Sequence, residues 1–223
     1  IVQGNATRLD WEEVCPKEES DEIYIFGNPP YLGARMQSAK QKFDMNFVFN
    51  SLKGVNNLDY ISCWFKKGSD FIIRYNSKYA FVTTNSISQG EQVALLWPTI
   101  FQNNLQIEFA HQSFKWTNNA KGNAGVTVAI IGISNHSAND KQIMNEGLSH
   151  SVKNINPYLV SGNNTFIQKR VKPLANLPEI NFGSMANDGG NLLISSEEKQ
   201  SIINSNSKAE KFIKRLVGAL EFI

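Results

Sequence analysis

The sequence predicts an α/β protein, an open sheet whose strands are joined by crossover helices, followed by the start of a second region. Three features carry that expectation. Short apolar runs stop at turn-forming residues, as Ile23 to Phe26 does at Gly27. Segments with apolar residues at helical spacing separate those runs. After about Ser134 the texture changes to polar, Asn- and Ser-rich sequence, which sets an expected boundary near residue 150.

Asp21 and Glu22 lead into Ile23-Tyr24-Ile25-Phe26, which reads as a buried strand of a parallel sheet. Residues 36–53 and 58–75 follow with helical periodicity, the second through Leu58, Ile61, Phe65 and Ile72. Residues 78–84 are β-rich. The stretch 90–101 reads as a helix that Pro98 should end or kink. Residues 105–109 and 126–133 are two further strand candidates. Turn signals then occur at Asn156-Pro157, at 161–164 and at Asp188-Gly189-Gly190. Beyond Ser195 a helical stretch through Ile202, Ile203, Phe212, Ile213, Leu216 and Leu220 closes the sequence.

Apolar residues make up 41% of the 223, ample for a packed core. No apolar run reaches membrane-helix length and no leader-like N-terminus is present, so neither a membrane span nor secretion is expected. Cys15 and Cys63 form neither a metal spacing nor a disulfide framework, which fits a reducing, cytoplasmic setting. His111, His136 and His150 are scattered, and no metal site is expected. A net charge of +2 is too small to signal nucleic-acid binding by itself. Asparagine occurs 26 times, so a single Asn carries weight only inside a motif. The chain opens without an initiator Met and stops while a hydrophobic pattern is still running, as expected of a piece of a longer protein.

The motif that carries chemistry is Asn28-Pro29-Pro30-Tyr31, placed where the first strand ends. The exocyclic amine of adenine is a poor nucleophile because its lone pair is delocalised into the ring. A catalyst must hold both amine hydrogens while a methyl donor approaches in line. The Asn28 side-chain oxygen can accept one hydrogen bond and the Pro29 carbonyl the other. Two prolines fix the backbone and bring no competing N–H. Tyr31 can stack on a base rotated out of the duplex. Chance would place this tetrapeptide in a chain of this length roughly once in a thousand times; the alternative is a strand-ending turn, since Asn-Pro often initiates turns.

The motif and its surroundings resemble the S-adenosylmethionine-dependent amino-methyltransferases, and specifically the MmeI-like group of DNA adenine methyltransferases. Four blocks carry the likeness: 4–11 (GNATRLDW), 27–38 (GNPPYLGARMQS), 84–92 with Leu96-Trp97-Pro98, and Phe109-Ala110-His111 with Phe114-Lys115-Trp116. The resemblance implies a partial Rossmann-like methyltransferase sheet over residues 1–150 and the opening of a target-recognition region over 151–223. It implies a site-specific enzyme of a restriction-modification system that methylates adenine N6 in double-stranded DNA. Asn5 and Ala6 would border the adenine of the cofactor. Asp59 would be a further cofactor-side contact, or else a carboxylate favoured by a helix N-terminus. Phe114 or Trp116 would form the second aromatic wall of the base pocket, opposite Tyr31.

One departure from the family pattern matters. The glycine-rich loop and the ribose-binding acid that such enzymes place after their first strand are absent, and are expected upstream of Ile1 in a longer parent. The fragment alone is then expected to bind S-adenosylmethionine weakly and to be inactive. Lys169, Arg170 and Lys172 are candidate DNA-phosphate contacts, and Lys208, Lys211, Lys214 and Arg215 a basic helical face; a solvated surface explains either cluster as well. A methyltransferase acting on a protein glutamine or an RNA base, or a non-catalytic DNA-binding module, are the alternative functions. No nuclease carboxylate cluster stands out.

Overall fold

The structure is a computed structural model of the 223-residue chain. It describes residues 1–74, 76–116, 126–135, 140–170, 172–177 and 188–217. The chain divides into two compact units, Ile1–Arg170 and Val171–Ile223. In the first, six strands form one mixed sheet: β1 (Glu22–Gly27), β2 (Asn76–Thr84), β3 (Gln106–Lys115), β4 (Thr127–Ser134), β5 (Lys141–Asn145) and β6 (Leu148–Val152), in the spatial order β1-β2-β4-β3-β5-β6. Its helices are α1 (Trp11–Val14), α2 (Ala39–Val48), α3 (Ser62–Phe71) and α4 (Gly90–Phe101).

Strands β1 and β2 are parallel, in register from Glu22↔Asn76 to Gly27↔Phe81. A parallel pair cannot be closed by a tight turn, and α2 and α3 lie in the connection between these two. Strand β4 runs antiparallel to both β2 and β3 and lies between them, while β5 is parallel to β3. It follows that β1, β2, β3 and β5 all point the same way. Their carboxyl ends share one edge of the sheet, where open α/β sheets bind ligands.

Alternation along β2 decides where the core lies. Ser77, Tyr79, Phe81 and Thr83 are buried, and the residues between them only half so. Phe65 of α3 meets Tyr79, Phe81 and Trp97 edge-on, with ring centroids 5.8, 5.6 and 6.3 Å apart. Each such ring contributes roughly 1.5–3 kcal/mol by leaving water. Their polar atoms are paired: the Trp97 indole donates to the Ile87 carbonyl (2.8 Å) and the Tyr79 hydroxyl to the Phe65 carbonyl (3.2 Å). Gly68 lets α3 close on this sheet, since a Cβ there would sit 3.1 Å from the Tyr79 ring.

The expected α/β class is what forms, with three corrections. Strand β1 is an edge strand: among the described residues it pairs on one side only, and Tyr24 and Phe26 are 58% and 83% exposed rather than buried. Helix α4 continues through Pro98 to Phe101, because the apolar face that buries Leu96, Trp97 and Ile100 outweighs one missing hydrogen bond. The two helices expected over 36–53 and 58–75 shorten to α2 and α3, each flanked by a short 3-10 turn or irregular chain.

Strands β5 and β6 arise where only polar texture was read. Their hairpin turns at Glu146 and Gly147, both at positive φ. Residues 155–166 then fold back on the same core, with Ile155 and Leu159 buried, and the first unit runs to Arg170.

In the second unit, α5 (Ser196–Ser205) begins with a reciprocal capping box between Ser195 and Glu198. It ends at Asn206, and a 3-10 turn over Ser207–Phe212 follows. The single helix expected there is therefore broken, and Lys214 and Arg215 lie outside it, which dissolves the expected basic helical face. Leu220 and His136 lie outside the described residues.

Among the described residues no helix is long and apolar enough to cross a membrane, and no cluster of ligating side chains could hold a metal. Cys15 is exposed and Cys63 buried, both as free thiols.

The ring of Phe109 lies over Gly132, where a Cβ would come within 2.2 Å of it. Gly132→Ala is therefore expected to displace Phe109 and destabilise the sheet by about 1–3 kcal/mol, read as a lower urea midpoint at unchanged slope.

Candidate active site

Asn28 follows directly on β1, at the shared carboxyl edge. Pro29 is buried while Asn28 and Pro30 are exposed, so the motif is clamped at its second residue and presents its first. The Asn28 amide makes no hydrogen bond among the described residues and is available to a ligand. Tyr31 is half-buried and packs on the core. Beyond it the loop is pinned from two sides: the Tyr60 N–H donates to the Leu32 carbonyl (2.9 Å), and the Gln37 amide donates to the carbonyls of Leu32 (3.2 Å) and Leu58 (2.9 Å).

Asn28 and Pro29 line one end of a groove of about 640 Å³. Ala6, Trp11, Ile23, Trp64 and Phe71 also line it, and it is mostly apolar. The structure thus brings Ala6, read as a cofactor neighbour, to the same groove as Asn28 and Pro29. Ala6 is held there by its carbonyl, which accepts the Trp11 indole N–H (2.8 Å).

The turn carrying Asn5 and Ala6 is organised by a residue the sequence did not single out. The Asp44 carboxylate, on α2, is 1% exposed and accepts hydrogen bonds from Arg8 Nε (2.6 Å), the Tyr60 hydroxyl (2.8 Å) and Asn5 Nδ2 (3.1 Å). Burial pushes the Asp44 pKa up. The bonds from Tyr60, Arg8 and Asn5 and the Arg8 charge push it down further, and the net effect holds it below the ordinary carboxylate value. The Tyr60 hydroxyl is pushed up to about 12 by burial and by its bond to Asp44. Asn5 faces inward: its oxygen accepts from the Thr7 N–H and hydroxyl, and its nitrogen donates to Asp44.

Asp59 does not line that groove. Its carboxylate accepts from the Ser86 hydroxyl and from Gln92 Nε2 (3.4 Å), and it lies against Gly33, 3.8 Å from where a Cβ would be. It lies beside the loop that follows Tyr31. Phe114 and Trp116 stand together near the end of β3, ring centroids 6.5 Å apart, with His111 4.6 Å from Phe114. They share the carboxyl edge with Asn28, but β2 and β4 intervene, so they stand about 14 Å across the sheet from β1. Lys169, Arg170 and Lys172 are all exposed.

No apolar periodicity marks Asp44, one polar residue among the Lys, Gln and Asn of α2. The signal that would have found it is the need of Arg8 and the Tyr60 hydroxyl for a buried partner. Ser86 and Gln92 lay inside a block already tied to the family, without an assigned role.

The model of the MmeI DNA-methyltransferase domain matches residues 1–145, and that of the MmeI target recognition domain matches residues 161–223. The chain belongs to the MmeI DNA-methyltransferase family. It is 44% identical, over 99% of its length, to DNA methyltransferase A of Bacillus subtilis (strain 168). It superposes along its whole length, with a TM-score of 0.91 and 40% identity, on the type IIL restriction-modification enzyme MmeI in complex with DNA. The chain spans about a quarter of the first relative and 30% of the second. Residues 146–160 fall between the two matched regions, and they pack on the sheet of the first unit through Ile155 and Leu159.

Removing the Asp44 charge leaves Arg8 and Tyr60 facing a neutral amide, so Asp44→Asn is expected to cost about 2–4 kcal/mol. Because the folded pKa is depressed, this stabilisation is fully present above the unfolded carboxylate value and is lost as pH falls through the folded one. Thermal melts across an acid series should show the gap between wild type and variant closing at low pH; a gap of constant size would place its origin elsewhere.

Proposed function

We propose that the chain forms the base-holding part of a cytoplasmic, site-specific DNA methyltransferase that transfers a methyl group from S-adenosylmethionine to adenine N6. The observation that carries this reading is the unpaired Asn28 amide next to the clamped Pro29, at the carboxyl edge of β1 and beside the groove that holds Ala6. The Asn28 oxygen and the Pro29 carbonyl accept the two amine hydrogens of the extrahelical base and turn the nitrogen lone pair outward. Neither Pro29 nor Pro30 has an N–H to compete for those acceptors. Tyr31 stacks on the base; Phe114 or Trp116, about 14 Å across the sheet at the end of β3, would have to close toward it to form the second wall. No side chain needs to titrate, since catalysis here is positioning and polarisation.

The groove fits part of the cofactor. Its apolar walls at Ala6, Trp11 and Phe71 suit a flat heterocycle, but no acidic residue lines it to grip ribose hydroxyls. S-adenosylmethionine, when bound, supplies an electrophilic methyl group to the nitrogen that Asn28 and Pro29 hold. Lys169, Arg170 and Lys172 are exposed cations suited to DNA phosphates.

In the full-length protein, Asn28→Ala is expected to lower methyl transfer about 10²–10³-fold while DNA binding is retained. Nucleoside mass spectrometry of the product should show N6-methyladenine; N4-methylcytosine would overturn the choice of base, and an active Asn28→Ala enzyme the role of the motif. Calorimetry on the isolated 223-residue chain should detect no tight binding of S-adenosylmethionine. A dissociation constant in the micromolar range or below would show that the groove suffices by itself.

A further inference from the structure

The carboxyl edge carries a second concavity, of about 450 Å³, on the far side of β2 from Asn28. Its walls come from the ends of three strands and the loops after them: Asn85 following β2, Ser88 and Gln89 before α4, Gln112 in β3, Asn145 closing β5, and Tyr158. None of its lining residues is Lys, Arg, His, Asp or Glu. A phosphate would need cations and a hard metal ion carboxylates, so both are disfavoured occupants. Four carboxamides, two serines and a tyrosine instead bring donors and acceptors side by side, the pattern that matches the edge of a neutral heterocycle.

The polar groups of this pocket are poised for a partner. Gln89 is exposed and its side chain makes no hydrogen bond among the described residues. Asn145, exposed at the rim, also makes no hydrogen bond among the described residues. Gln112 is held in place by its bond to the Leu159 carbonyl (2.7 Å), and Tyr158 by accepting the Ile167 N–H (3.2 Å). The pocket therefore combines fixed walls with unpaired recognition atoms.

We infer that this pocket takes a second base of the DNA, unstacked from the duplex near the one being methylated; the inference rests on the DNA-methyltransferase reading above. Amide edges and the absence of charge select a base over the backbone, and the shared sheet edge places both bases on one side of the protein. Ser113, exposed at the mouth, is the natural position from which to block entry.

The test uses the full-length protein and duplexes carrying 2-aminopurine, a base analogue that brightens when it leaves the stack. The analogue is placed in turn at the methylated position and at every other position of the recognised site. Fluorescence should rise at the target and at one further position. Gln89→Leu combined with Asn145→Leu should abolish the second rise and weaken DNA binding about tenfold, with the target signal and melting temperature retained. Ser113→Trp, which alters only an exposed position, should do the same by obstruction. A bright target with no second bright position, or a second rise that survives both variants, would overturn the inference while leaving the base-holding role of Asn28 intact. A dark target would overturn both.

Discussion

The buried carboxylate of Asp44 is where the turn of residues 5–8, helix α2 and the lead into α3 come together, and the site depends on that junction. Asp44 holds Arg8 and Asn5 on one side and the Tyr60 hydroxyl on the other, while the Tyr60 backbone holds Leu32 just past the catalytic motif. One ionised group thereby couples the groove wall at Ala6 to the loop that begins at Asn28. A buried charge is tolerated only when its hydrogen-bonding capacity is met, and three donors meet it here. Asp59 plays a similar part on the opposite flank, bonded to Ser86 and Gln92. The loop that begins at Asn28 is thus held between two carboxylates, neither of which the proposed chemistry consumes.

Much of the sheet could be read from the residues because its strands are punctuated. Gly27 and the proline pair end β1, and the β-branched run of residues 127–133 announces β4. The hairpin of β5 and β6 could not be read, because one of its strands is exposed along nearly its whole length and so carries no apolar alternation. Its strongest local mark, Glu146-Gly147, is a turn signal embedded in polar sequence. The exposure of β1 was misread for a related reason: an apolar run reports that a strand is capable of burial, and says nothing of which elements are there to cover it.

At the site, the motif was legible and its supports were not. Asn28 to Tyr31 are contiguous, so their chemistry is written in one place. Asp44 and Tyr60 act across a separation that only the packing of α2 against α3 closes. The inward orientation of Asn5 is equally invisible in sequence, because a turn asparagine looks the same whether its amide faces a ligand or its own backbone. The MmeI relatives place the motif in a family. The hydrogen bonds show which residues keep it in shape.

The position of β4 has a consequence for how this edge comes into being. Strands β2 and β3 point the same way but never touch, since β4, later in sequence than both, lies between them. Their shared neighbour is missing until residues 127–134 have arrived and inserted. During synthesis the segment bearing Asn28 emerges before β4, so the stretch of sheet edge between β2 and β3 is completed only after that segment has been made. Until then β2 and β3 are exposed as open ladders, the state most prone to wrong pairing. The order of strands along the chain therefore sets an order of assembly: the motif is made before the strand that joins β2 to β3.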